Sequence, residues 1–116
     1  MANEGMLGKT RIEGEKAATD DHPVIIHALP LDDSVTAKLP AGLVLERTAA
    51  GKWRPYSKAG GGVPRAVVNE PCDPAHERSA KSIVHGCYKL RLGKVGADPI
   101  DTATMDALMD RHVYAV

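Results

Sequence analysis

Apolar and polar residues alternate most clearly in residues 38–56, and this pattern predicts a β-hairpin. A turn is favoured at Pro40 and Gly42, because proline fixes φ and glycine tolerates a positive φ. In residues 43–47 the alternation places Leu43 and Leu45 on one strand face and Val44 and Glu46 on the other. The small residues 48–51 then form the hairpin loop. We expect this hairpin to be the scaffold of the core.

Further strands are predicted on both sides of the hairpin. Residues 23–31 contain three consecutive β-branched residues, and residues 63–68 are apolar except for Arg65. Residues 70–81 are charged and contain two prolines, so we expect a surface loop. The longest predicted strand, residues 82–92, would direct one set of side chains to the core: Val84, Gly86, Tyr88, Leu90 and Leu92. Its other face would carry Ile83, His85, Cys87, Lys89 and Arg91.

Two glycine positions have specific structural implications. Gly86 interrupts the longest predicted strand, which indicates a bulge or a close approach by another backbone. Gly60, Gly61 and Gly62 precede Val63, and a run of this kind allows backbone shapes that other residues resist. Without a following helix it is a poor anion site. We interpret residues 60–63 as a hinge or a close contact between subunits.

The C-terminal residues contain the one well-marked helix of the sequence. After a turn at residues 93–98, Asp101 is a suitable N-cap, and Ile100 and Met105 have the spacing of a hydrophobic staple. Asp98 followed by Pro99 is an alternative start one turn earlier. One helix face would carry Met105, Leu108, Met109 and His112, which we interpret as core or interface packing. Residues 113–116 are expected to form a short strand or a docked tail.

Composition supports a single small β-rich domain. The 116 residues include 11 glycines and 8 prolines but only 3% aromatic residues, which suits short strands and turns better than a helical bundle. Fifteen basic residues balance fifteen acidic ones, so no net field favours nucleic acid or an anionic membrane. No apolar run is long enough to span a bilayer, and the first residues do not resemble a signal peptide. We therefore expect synthesis in a reducing cytoplasm.

Residues 1–22 are predicted to be a flexible N-terminal arm, and residues 23–116 the β-rich domain. The arm has only scattered apolar residues, so it either remains disordered or becomes ordered on a partner by adding a strand through residues 9–13. Gly8-Lys9-Thr10 resembles the end of a phosphate-binding loop. Asn3 nevertheless stands where the earlier glycine belongs, and no strand precedes it, so we reject nucleotide binding there.

One group of side chains has metal-ligating or nucleophilic chemistry: Cys72, His76, His85 and Cys87. Two cysteines and two histidines satisfy zinc, but neither pair has the spacing of a metal knuckle. A disulfide between the cysteines is disfavoured in a reducing compartment. A Cys–His nucleophile would need an orienting group and an oxyanion site, and no pattern indicates either. We interpret Cys87 as a small semi-buried residue and Cys72 as a loop residue, and we expect no enzyme, metal or cofactor.

The order of these elements resembles the lambda-like capsid decoration proteins of tailed bacteriophages, which are also called head-stabilising proteins. The resemblance covers residues 23–116 and rests on three stretches after the arm, with a helix and the tail Val-Tyr-Ala-Val at the end. These stretches are Leu-Pro-Ala-Gly-Leu-Val-Leu with Gly-Lys-Trp-Arg-Pro, then Val-Pro-Arg-Ala-Val-Val, and then Ile-Val-His-Gly-Cys-Tyr.

The resemblance implies a small barrel-like or tulip-like β-domain that forms a homotrimer at three-fold positions of an expanded phage head. Such a protein binds the major capsid protein, lies on the outer surface of the virion, and stabilises the head against internal DNA pressure without contacting nucleic acid. The arm residues expected to bind the capsid are Met6, Leu7, Lys9, Thr10, Arg11, Ile12 and Glu13. The expected trimer contacts are Gly60, Gly61, Gly62 and Val63. The alternatives are another virion or tail accessory protein, or a small Cys/His metal-binding domain.

Overall fold

A computed structural model describes residues 15–19 and 23–116 of the chain. Short strands dominate this part of the chain, and one α-helix lies near its C-terminal end. The strands are β1 (Ile25–Pro30), β2 (Val44–Arg47), β3 (Trp53–Pro55), β4 (Pro64–Val68), β5 (Ser79–Tyr88), β6 (Lys94–Val95), β7 (Asp98–Pro99) and β8 (Val113–Ala115), and the helix is α1 (Thr102–Met109).

The strands form one large curved sheet and one small hairpin. The large sheet has the order β1-β5-β4-β2-β3, and β8 pairs in parallel with the end of β5. The other pairs are antiparallel, and β6 and β7 form the separate hairpin. Leu31 makes one bridge to Trp53, which brings the two ends of the sheet together at one corner without closing a barrel. The predicted mainly β fold with one C-terminal helix is confirmed.

Side chains are buried on both faces of the large sheet, because the alternation of β2 directs apolar residues to two clusters. One cluster contains Leu43 and Leu45 with Leu29, Leu31, Val35, Leu39, Ala66, Val68, Cys72 and Ala80. The other contains Val44 with Ala17, Val67, Ile83, Tyr88, Leu108 and Val113. Trp53 is only half-buried against the first cluster, and the largest fully buried side chain is Tyr88.

The assignment of β5 side chains to the core was wrong in three places. Ile83 and Cys87, predicted to face away from the core, are buried, whereas Leu90, predicted to face it, is 43% exposed. The strand begins at Ser79 and ends at Tyr88, and Leu90–Leu92 forms a 3-10 helix. Ile26 pairs with Ile83 but Ile25 pairs with His85, so Val84 is an extra residue that breaks the alternation.

The predicted role of Gly86 in β5 is confirmed. Its φ is +121°, and a Cβ atom there would lie 2.9 Å from the Cα atom of Val24. Only glycine fits without movement of the neighbouring backbone, because both the conformation and the space exclude a side chain.

The C-terminal region agrees with the sequence in its main features. Asp101 is the N-cap residue of α1, and Leu108 on this helix is fully buried, while β8 confirms the expected terminal strand. Met109 is 50% exposed. Of the two roles predicted for it, core packing and interface packing, core packing is therefore wrong. The turn predicted at residues 93–98 contains β6 and the start of β7.

Candidate interaction surface

Two described segments, residues 17–19 and β1, lie beside different parts of β5 and the residues that follow it. The amide of Lys89 donates to the carbonyl of Ala17, Ala18 pairs with Tyr88, and the amide of Thr19 donates to the carbonyl of Cys87. Further along β5, the β1 strand pairs from Ile25 opposite His85 to Pro30 opposite Ser79. Residues 17–19, which belong to the predicted arm, therefore lie beside the C-terminal end of β5, whereas β1 pairs with the preceding part of that strand.

The outer side of β1, together with its solvent-facing side chains, is here called the β1 edge. In the described part of the chain β5 is the one strand that pairs with β1, and on the far side the described residues add one bridge, from Leu31 just after β1 to Trp53. Ile25 is 47% exposed and Ile26 is 38% exposed, and the only ionisable residue of this strand is His27. Soluble proteins usually protect such edges with charge, so an apolar edge indicates a binding surface.

Residues 15–19 are held against the domain by both packing and charge. Ala17 is fully buried, and its amide donates to the carbonyl of Asn69 at 2.8 Å. The Glu15 carboxylate accepts hydrogen bonds from the guanidinium of Arg91 and from the ammonium of Lys89, the latter at 2.8 Å. These two cations lower the pKa of Glu15 from 4.5 to about 2. Glu15 and Ala17 thus anchor this segment to the domain.

The predicted capsid-binding residues lie outside the described part of the chain. They are Met6, Leu7, Lys9, Thr10, Arg11, Ile12 and Glu13. The structure places the end of the predicted arm beside β5, at residues 15–19.

The predicted trimer contacts lie in a loop that surrounds a buried carboxylate. Glu46 is 3% exposed, and its carboxylate accepts hydrogen bonds from the Arg54 guanidinium at 2.8 Å and from the Ser57 amide at 3.2 Å. A Cβ atom on Gly62 would lie 2.6 Å from Oε1 of this carboxylate. The glycine run therefore has a close contact within its own chain, while Gly60, Gly61 and Val63 remain exposed.

The cysteines and histidines weighed as a zinc or nucleophile group do not form one site. Among the described residues no group of three or more His, Cys, Asp or Glu side chains is arranged to hold a metal ion. Both cysteines are free thiols, and both are buried. The thiol of Cys72 approaches the carbonyl of Ser79 at 3.5 Å, and burial raises its pKa. A protonated, buried thiol is a poor nucleophile and a poor metal ligand.

The structure instead brings His85 together with His112, a pair that sequence reasoning missed. Their ring centres are 5.8 Å apart, because β8 runs beside the end of β5 and His112 immediately precedes β8. Local patterns in the sequence do not bring these two histidines together. Finding the pair would have required predicting that the C-terminal tail pairs in parallel with the strand that contains Gly86.

Comparison with protein-family models and with curated proteins gives no match for this chain. Within the described residues, no helix has both the length and the apolar character needed to cross a membrane.

Proposed function

We propose that this protein is a capsid decoration protein, a structural cement that binds as a homotrimer at three-fold positions of an expanded phage head. The observation that carries the proposal is the β1 edge, where an apolar strand without lysine or carboxylate residues has one side with which no strand of the described residues pairs. An extended segment of a partner protein can add to such an edge through main-chain hydrogen bonds, and the exposed isoleucines supply apolar contacts.

The path of the N-terminal residues supports the same function. Residues 17–19 pair with residues 87–89, beyond the stretch of β5 that pairs with β1, so the arm is attached to the folded domain through this segment. We propose that a capsid subunit that adds a strand at the β1 edge also binds the arm. The two contacts would be made by one partner, and each would raise the effective concentration of the other.

Trimer formation explains how modest contacts suffice for stable attachment. Each copy offers a short edge strand and an arm, and ordering the arm costs conformational entropy. Three linked copies around a three-fold axis multiply the contacts without requiring a large interface in any one copy. The exposed residues Gly60, Gly61 and Val63 are the proposed contacts between copies. The balanced formal charge suits a protein shell as partner rather than packaged DNA.

The test is binding of the purified full-length chain to expanded, undecorated heads of the phage that encodes it, measured by co-sedimentation. We expect saturable binding at three copies per three-fold position. Ile25→Glu should weaken it at least tenfold, because a charge on the β1 edge opposes strand addition. Met109→Glu is the matched control, since Met109 is equally exposed but lies on α1. Absence of binding, or equal weakening by both substitutions, would contradict the proposal.

A further inference from the structure

We infer that His85 and His112 form a binding site for a divalent first-row transition-metal ion of the zinc type. This inference is independent of the capsid proposal. The two imidazoles come from different parts of the fold, since His85 lies on β5 and His112 lies between α1 and β8. Imidazole nitrogen is a preferred ligand for zinc, nickel and copper.

The separation of the two rings fits a shared ion. A zinc ion lies about 2 Å from a coordinating imidazole nitrogen, and hence about 3.2 Å from the ring centre. Two imidazoles on one ion therefore have centres about 5 to 6.5 Å apart for angles between tetrahedral and linear. The observed separation is 5.8 Å, with the ring planes tilted by 42°. Each ring has two nitrogens, so one can keep a hydrogen bond while the other binds metal.

The backbone fixes the two histidines relative to each other. The amide of Gly86, next to His85, donates to the carbonyl of His112 at 3.0 Å, and Gly86 pairs with Val113 in the parallel ladder. Preorganisation of this kind lowers the entropic cost of bringing two ligands to one ion.

The conformation of His112 supports a role for its side chain. In the described part of the chain it is the one non-glycine residue with a positive φ, at 65°. It follows α1, and its amide donates to the carbonyl of Met109 at 3.0 Å. Glycine is the usual residue for a left-handed conformation just after a helix, because it carries no Cβ penalty. A histidine at such a position retains strain that glycine would remove, which points to a function for its imidazole.

Tyr114 supplies the outer contact that orients a histidine ligand. Its hydroxyl lies 3.0 Å from Nδ1 of His112. When Nδ1 carries the proton and donates to this hydroxyl, Nε2 presents its lone pair outward to a metal ion. Metal-ligating histidines commonly use their second nitrogen in this way, and the partner fixes both tautomer and ring orientation. His112 is exposed and His85 is half-exposed, so solvent oxygens can complete the coordination.

The experiment is calorimetric titration of the full-length chain with zinc chloride, together with the Tm measured with and without zinc. We expect one ion per chain and an increase in Tm, because the ion links β5 to the residue before β8. His85→Asn and His112→Asn should each weaken binding at least about tenfold, and Tyr114→Phe about tenfold. Asparagine tolerates a positive φ, so it is the suitable replacement at His112.

The matched controls are His27→Asn and His76→Asn, two exposed histidines elsewhere in the described chain. Both should bind zinc as the unsubstituted protein does. The inference is overturned if the unsubstituted chain shows no saturable binding, or if His85→Asn retains it. Should His112→Asn not fold, as judged by circular dichroism without zinc, His85→Asn and Tyr114→Phe decide the question.

Discussion

At the scale of single residues, the contact between Gly62 and Glu46 shows how a buried charge determines a loop sequence. The Glu46 carboxylate is held by the Arg54 guanidinium and the Ser57 amide, so it has little freedom to move away from a new methyl group. Removing one partner of such a group would leave a buried charge unsatisfied. The glycine at position 62 is thus required by packing within the chain, whatever the role of its neighbours.

Replacing Gly62 with alanine should destabilise the fold by about 1 to 3 kcal/mol, because the added Cβ would displace the carboxylate from its hydrogen bonds. The free energy of unfolding in urea measures this cost. In a Glu46→Ala background the same substitution should cost much less, since the obstructing carboxylate is gone. An equal cost in both backgrounds would show that the penalty arises from the loop backbone and not from Glu46.

Gly61→Ala is a useful comparison. A Cβ atom at position 61 would have no neighbour within 4 Å, so the cost of this substitution would reflect the positive φ alone.

At the scale of elements, the attachment of residues 15–19 to β5 depends on pH. Ion pairs with Arg91 and Lys89 lower the pKa of Glu15 from 4.5 in its usual state to about 2. A group whose pKa is lower in the folded state contributes stability above its unfolded pKa. Here that contribution is complete above about pH 4.5 and is lost as the pH falls through about 2.

Glu15→Gln should therefore reduce the loss of stability between pH 4.5 and pH 2, which Tm measurements across this range detect. The difference between the variant and the unsubstituted chain should be larger at low salt, because the ion pairs are exposed. Asp33→Asn is a suitable control for removal of a carboxylate elsewhere, since Asp33 is exposed and lies far along the chain from Glu15. If Glu15→Gln and the unsubstituted chain respond identically to acid, the ion pairs do not hold this segment.

Local patterns in the sequence predicted the elements better than they predicted the contacts between elements. The hairpin of β2 and β3, the N-cap at Asp101 and the role of Gly86 follow from turn chemistry and residue spacing. The faces of β5 could not be predicted, because the extra residue Val84 is defined only by its pairing with β1. The approach of His85 and His112 likewise depends on long-range pairing of β8 with β5. Strict alternation fails wherever a bulge shifts the register.

At the scale of the whole molecule, the described chain has two cores on either side of one curved sheet and an apolar strand at one end of that sheet. The buried side chains explain stability, while the β1 edge exposes Ile25 and Ile26. Residues 15–19 are attached to the domain near residues 87–91 and at Asn69. This arrangement leads us to place the proposed function on the outer edge of the sheet and not in a pocket within it.

The most direct test of the capsid proposal is a cryo-electron microscopy reconstruction of expanded heads mixed with the full-length chain. We predict three copies of the domain around each three-fold axis, with the β1 edge and residues 15–19 facing the capsid protein and an added strand alongside β1. Heads without added density at the three-fold positions, or density confined to the tail, would contradict the proposal.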